Sequence, residues 1–242
     1  MSTTKKDAKL HILNEQANQN TKGALLRQII LGGQDGLVNV LGIILALATG
    51  TNDRAIIILG GLAATFAESI SMAAVAYTSG KAQRDYYYRE LEREKYEMKH
   101  FPDVEREEIR LIYMKKGFRG KQLKSIVAKI CSDKKLWLET MMTEELNLSE
   151  SKDIQPMREG AIVGISAMVG SIIPLLPFFF LSPQAAILPS LILSIIALFV
   201  TGAYKGKITI GSWWKSGIEM AAIGIAAALI GYAIGILVGA KV

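Results

Sequence analysis

The chain has 242 residues, half of them apolar, with 28 Lys and Arg against 22 Asp and Glu and a formal net charge of +6. Its single cysteine, Cys131, excludes an intrachain disulfide and CxxC metal chemistry. The apolar residues are clustered, in runs of the length that spans a bilayer as a helix, whereas a soluble domain spreads them at a period of 3.6 or 2.

Residues 1–24 are polar and contain no apolar core with a cleavage site, so no signal peptide is expected. Residues 25–80 are largely apolar, 81–158 densely charged and 159–242 apolar again. Membrane helices are predicted at about 26–50, 54–79, 159–182, 185–204 and 216–239. The basic residues Lys5, Lys6, Lys9, Lys22 and Arg27 flank the first span, the middle segment is rich in bases, and Lys205, Lys207 and Lys215 lie between the last two spans. The intervening loops GTNDR and LSPQ carry one base and none. This asymmetry places the N-terminus and the middle segment in the cytoplasm and accounts for the net charge without nucleic acid. The expected fold is an all-α membrane protein: five transmembrane helices, with a helical cytoplasmic domain inserted between the second and third.

In the first span, LGGQDGLVNVLGIILALATG, Asp35 stands at membrane depth. An ionised carboxylate there costs on the order of 2.5–3.5 kcal/mol and signals function. Gly32, Gly33 and Gly36 are expected to weaken the helix around it and leave room for backbone and water. In the second span, FAESISMAAVAY puts Ser71 and Met72 on the same helix face as Glu68. Carboxylate beside thioether suits a transition metal; the competing reading has Glu68 bonded to a neighbouring helix and Met72 as packing. Pro174 and Pro177 either loosen the third span in the same way or are plain packing features. Glu159 and Glu219 fall near the cytoplasmic boundary, where charge is tolerated.

The middle segment reads as helices throughout. The second span continues to about Phe101, Pro102 opens a helix that ends at Gly117, and two more follow over Gly120–Cys131 and from Lys134 to near Asn147. Leu91, Ile109, Leu111, Ile112, Ile126, Val127, Ile130, Leu136 and Leu138 are expected to form one small core. Glutamates on a solvated helix usually have a base three or four residues away, and Glu92 has Arg89 and Lys95. Glu105, Glu108 and Glu145 have none, and Glu90, Glu94 and Glu97 form an acidic stripe that only Arg93 offsets. Such like-charge pairs cost roughly 0.2–0.5 kcal/mol each, and a bound cation would supply the missing charge. With only His11 and His100, and no Glu-x-x-His, a ferritin-like di-iron oxidase is not expected. A Glu and Met site would bind Fe(II), Mn(II) or Zn(II) moderately and exchange them fast, as a transporter requires. No nucleophile–base set or nucleotide loop points to an enzyme, and no tightly bound cofactor is expected.

RQIILGGQDGLVNVLG in the first span, SMA in the second followed by Gln83-Arg84-Asp85, VEREEIRLIYMKKGF, MMTEEL and IIPLLPFF occur here in one order. In that order the chain resembles the vacuolar iron transporter family from about Leu26 to its C-terminus. The resemblance implies a homodimer with five spans per subunit, exchanging Fe(II) for protons, and a helical cytoplasmic metal-binding domain. It assigns Asp35 and Met72 to the transport pathway and Glu94, Glu97, Glu105, Glu108, Met141, Met142 and Glu145 to metal binding. The chain departs from the usual pattern at Gln28, where relatives often have Asp, and at Val75-Ala76-Tyr77, where they have Gly-Glu-Tyr; Glu68 is expected to stand in for one missing carboxylate. A carboxylate at Asp35's depth is neutralised by a proton or balanced by a cation, and exchange of one for the other would couple the two flows. The expected activity is export of Fe(II) or Mn(II) from the cytoplasm against protons, across the cell membrane or, in a eukaryote, the vacuolar membrane. The alternatives are a manganese-preferring transporter and a membrane-anchored metal sensor or scaffold.

Overall fold

The computed structural model describes residues 3–148, 155–209 and 211–239, with side chains described from residue 23 onward. The N-terminal bases Lys5, Lys6, Lys9 and Lys22, and residues 149–154 of the middle segment, therefore lie outside the described side chains. Among the described residues all regular structure is helical: α1 (Thr3–Gly50), α2 (Arg54–His100), α3 (Pro102–Lys115), α4 (Gly120–Cys131), α5 (Lys134–Thr140), a π-helical turn (Met141–Glu145), α6 (Pro156–Leu175), a 3-10 turn (Leu176–Phe179), α7 (Pro183–Ile208) and α8 (Trp213–Gly239). α1 carries its helix through the polar N-terminal segment, and α2 runs unbroken well past the apolar stretch. Five helical segments are long and apolar enough to cross a membrane: Gly23–Gly50, Arg54–His100, Pro156–Phe179, Pro183–Ile208 and Trp213–Val238. Their outward faces carry Leu59, Ile70, Phe180, Leu188 and Leu237, each more than 60% exposed. Lipid covers such faces without the cost that water would exact from so much contiguous apolar surface. The chain is an all-α integral membrane protein.

Two compact units are formed, one from Met1–Tyr77 with Pro156–Val242 and the other from Thr78–Gln155. In the first, the helices meet at glycines. A methyl group on Gly32 would collide with the Val163 carbonyl, one on Gly36 with the Ala167 carbonyl, and one on Gly170 with the Gly33 carbonyl, so α1 and α6 touch backbone to backbone. α8 grips α1 further along, where Gly231 meets the Gly42 carbonyl and Gly235 meets Ala46 and Thr49. Lipid tails are as apolar as leucine, so helices in a bilayer associate through such close packing. This corrects one expectation: the glycines around Asp35 do not weaken α1, which is continuous, but form its seam with α6.

An apolar cluster of Val40, Ile44, Ala48, Ile57, Leu175, Phe178 and Ala186 fills the end of the unit near the α1–α2 connection. Pro174 and Pro177 end α6 there as a 3-10 turn, leaving carbonyls without helical partners. Arg54, at the start of α2, donates its Nε to the Phe178 carbonyl at 2.8 Å and its Nη2 to the Phe179 carbonyl. The base in the GTNDR loop thus caps a broken helix.

In the second unit, α3, α4 and α5 close over Ile109, Leu123, Val127, Ile130, Trp137 and Met141, with Met98 of α2 packed against them. Leu111 and Leu136, expected in this core, are exposed, and Leu123 and Trp137 take their place. α5 is only seven residues long, too short for its period to fix which side faces inward. Asp133 caps it by accepting from the Lys135 and Leu136 amides.

Gly170→Ala is expected to lower thermal stability by about 1–3 kcal/mol, the usual cost of overpacking. Gly23→Ala, with nothing within 4 Å of the added methyl, should leave it unchanged or slightly raised. Thermal unfolding of both variants in detergent measures the difference.

Candidate functional site

Within the membrane unit, Asp35 on α1 and Glu68 on α2 share a side-chain hydrogen bond, and Asn39 bonds Glu68 as well. Asp35 and Asn39 come from adjacent turns of α1. Met72, one turn beyond Glu68, is half-buried, while Ser71, grouped with it on the sequence, is exposed. Asn39 was not singled out by sequence reasoning, although an amide four residues from an intramembrane carboxylate is the available signal. Glu219, at the boundary, faces Lys205 at 3.9 Å, as an ordinary surface pair.

In the other unit the acidic stripe of α2 turns inward. Glu90 and Glu94 are buried, 3% and 1% exposed, and Glu97 is half-buried. From α3, Glu105 meets them and is also buried, so that carboxylate oxygens of Glu94, Glu97 and Glu105 lie within 4.8 Å of one another. Arg93 spans the stripe, at 2.8 Å from Glu90, 3.1 Å from Glu94 and 3.6 Å from Glu97. Contrary to the expectation that only Arg93 offsets the stripe, Arg89 also pairs with Glu90 at 2.8 Å, so Glu94, Glu97 and Glu105 are the members left short of positive charge. Among the described residues, Oε2 of Glu94 and Oε2 of Glu105 have no hydrogen-bond partner, and no Lys or Arg pairs with Glu105, Glu108 or Glu145. The solvated glutamates behave differently: Glu92 pairs with Lys95, Glu107 with Arg110, Glu139 with Lys135 and Glu144 with Lys116.

The electrostatics follow. Burial, then the charges of Glu108, Glu94, Glu97 and Glu145, push the Glu105 carboxyl up to about 8. Glu145 rises to about 7 because protein shields one side of it from water and Glu108 and Glu94 lie near, with Arg93 opposing. Burial also raises Glu94, which the hydrogen bond from Arg93 draws partly back. Each shift runs in the direction that burial and neighbouring like charges impose on a carboxyl.

Glu145 and the two methionines come from the π-helical turn, where the Leu146 amide bonds the Met141 carbonyl at 3.2 Å, five residues back. Such wide turns are concentrated at functional sites. Asn147 ends the turn in the left-handed conformation (φ 54°). Met141 and Met142 are both buried, and Met141 belongs to the apolar core beside Ile109 and Trp137. The structure thus gathers Glu94, Glu97 and Glu105, surrounds them with Glu108 and Glu145, and buries both methionines on the element that carries Glu145. Glu90 and Arg93 complete the cluster.

The profile of the VIT family matches residues 26–236. The chain is 31% identical to vacuolar iron transporter 2 of Oryza sativa subsp. japonica over 215 residues, 88% of this chain and 87% of that protein. It is 31% identical over 220 residues to the vacuolar iron transporter of Centaurea cyanus, covering 90% of each. To vacuolar iron transporter 1 of Arabidopsis thaliana it is 31% identical over 206 residues, 84% of this chain and 82% of that protein. With its match running through all five apolar helices and the carboxylate cluster alike, this chain belongs to the VIT family.

Proposed function

We propose that the protein carries Fe(II), and Mn(II) through the same ligands, out of the cytoplasm in exchange for protons. In this reading residues 78–155 are a cytoplasmic domain inserted between the second and third spans, and the protein works as a homodimer in the cell membrane, or in the vacuolar membrane of a eukaryote. The observation that supports it is two groupings of carboxylates short of basic partners, Asp35 with Glu68 and the cluster around Glu105. The names of the plant relatives, vacuolar iron transporters, support iron as the cargo. Manganese remains a close second because carboxylate oxygen without histidine suits both ions. A membrane-anchored sensor is disfavoured, because an anchor has no use for Asp35 and Glu68.

The chemistry of transport is proton for metal. In the cluster, Glu94, Glu97, Glu105, Glu108 and Glu145 would bind the cation as their protons leave, with Met141 and Met142 biasing the choice toward softer ions. In the membrane, Asp35 and Glu68 would exchange their shared proton for the cation, with Met72 one turn away. The protein's part is to keep both carboxylate sets short of permanent positive charge, so that each is occupied by protons or by cargo.

Asp35→Asn keeps size and hydrogen bonding but not charge. The variant should insert normally and lose Fe(II) uptake and the accompanying proton movement in proteoliposomes loaded with a pH-sensitive dye. Wild-type uptake by it would reduce Asp35 to a structural residue.

In the full-length protein, Glu105→Gln with Glu108→Gln should weaken Mn(II) binding at least tenfold by calorimetry, whereas Glu92→Gln, from a solvated pair, should not change it.

The raised carboxyls also set a pH dependence. Glu105 and Glu145 hold protons in the folded protein up to about 8 and 7, above the ordinary range near 4.3 for an unfolded glutamate. Their contribution to stability is therefore full below about 4.3 and is lost as pH rises through 7 to 8. Without metal, thermal stability should fall between pH 6 and 8.5, and added Mn(II) should restore most at the higher pH.

Replacing Met72, Met141 and Met142 with Leu keeps the volume and removes the sulfur. Discrimination against Mg(II) and Ca(II) in competition uptake should fall; unchanged selectivity would make these methionines packing residues.

A further inference from the structure

The hydroxyl of Ser171, on α6, is fully buried, 0% exposed, and has no hydrogen-bond partner among the described residues. Buried hydroxyls elsewhere in the apolar helices are satisfied by donating to a main-chain carbonyl. Thr65 bonds the Gly61 carbonyl, Ser69 that of Thr65, Ser190 that of Pro174 and Ser194 that of Ser190, all at 2.6–2.8 Å. The usual acceptor for Ser171 would be the Ala167 carbonyl, one turn back. That carbonyl points instead at Gly36 of α1, and the Ser171 oxygen lies against the same glycine, 2.6 Å from where a methyl group would stand. Gly36 directly follows Asp35. α6 also packs on α2, where Gly164 contacts Ala73 and the Ser69 carbonyl, so Ser171 belongs to a helix that touches both of the helices carrying Asp35 and Glu68.

We propose that Ser171 is a further residue of the intramembrane site, supplying a neutral oxygen to the divalent cation, or to a water that the cation carries, when Asp35 holds it. An orphan hydroxyl sealed among helices offers lone pairs that none of the described residues uses. A hard or borderline cation that has shed part of its hydration shell needs such neutral oxygens alongside the carboxylates. The glycine at 36 gives the hydroxyl its place: any side chain there would displace it. This rests on the proposed function and names one more ligand of the same site.

The test is cation uptake by the full-length protein in proteoliposomes, with Fe(II), Mn(II), Zn(II) and Cd(II) compared for wild type, Ser171→Ala, Ser171→Cys and Asp35→Asn, and thermal stability in detergent measured alongside. Ser171→Ala should raise KM for Fe(II) and Mn(II) about three- to tenfold while thermal stability stays level or rises, since the change removes an unsatisfied group. Ser171→Cys should shift the order of preference toward Cd(II) and Zn(II), because sulfur replaces oxygen at one ligand position. Wild-type KM and ion order in both variants would overturn the inference while leaving Asp35 in place, provided Asp35→Asn still abolishes uptake. A fall in thermal stability of Ser171→Ala with unchanged KM would likewise overturn it, making the hydroxyl a packing feature. If Asp35→Asn transports as the wild type does, or the wild type moves no cation, the proposed function itself falls and this inference with it.

Discussion

A carboxylate that has lost its water needs either a proton or a cation, and that requirement organises both halves of this protein. Within the membrane unit it takes its simplest form, two carboxyls bridged by a hydrogen bond with an asparagine beside them. In the other unit it is spread over five glutamates, with a single arginine reaching three of the carboxylates on α2. Packing draws these groups together: the inward face of α2 carries Glu90 and Glu94, and α3 brings Glu105 against them while burying Ile109 in the core. A fold that buries its acids beside its apolar core stores an affinity for cations that its own side chains do not satisfy.

The two sites use different physics to remain short of charge. In the cluster, the acids that lie outside it have their lysine or arginine three or four residues away or across a short gap, as in Glu92 with Lys95 and Glu144 with Lys116. The shortage is therefore local and set by sequence spacing. In the membrane the surroundings impose it, because no base occurs along the apolar part of α1 and the packed neighbours in its core clusters are apolar. In the proposed exchange, both sites would accept a divalent cation by releasing protons.

Much of this was legible in the sequence because membrane spans, helix punctuation and missing salt-bridge partners are local patterns. Pro102, Gly117 and Asn147 mark helix boundaries through backbone geometry, and Glu105, Glu108 and Glu145 stood out because the absence of a base at helical spacing can be counted. Contacts between distant segments were less visible. The glycines around Asp35 read as loosening, yet they are where α6 lies against α1, a role that depends on Val163, Ala167 and Gly170 more than a hundred residues away. Trp137 displaced Leu136 from the small core because the phase of a two-turn helix is set by its neighbours. Asn39 and Ser171 were passed over for the same reason: a lone polar residue in an apolar run acquires meaning only from what faces it.

The glycine contacts on both sides of α1 have a mechanical consequence. One helix touches it through Gly32, Gly33 and Gly36, another through Gly42, Ala46 and Thr49, so most of its apolar length is clamped at backbone distance. Rolling or sliding such a helix would drive main-chain atoms into one another before any side chain could adjust. Asp35 is thereby mounted on a stator. In the proposed exchange, access to it from one side or the other would change through rotation of side chains or displacement of less tightly held helices. The faster of these, rotamer motion on the nanosecond scale, is available without disturbing the clamp.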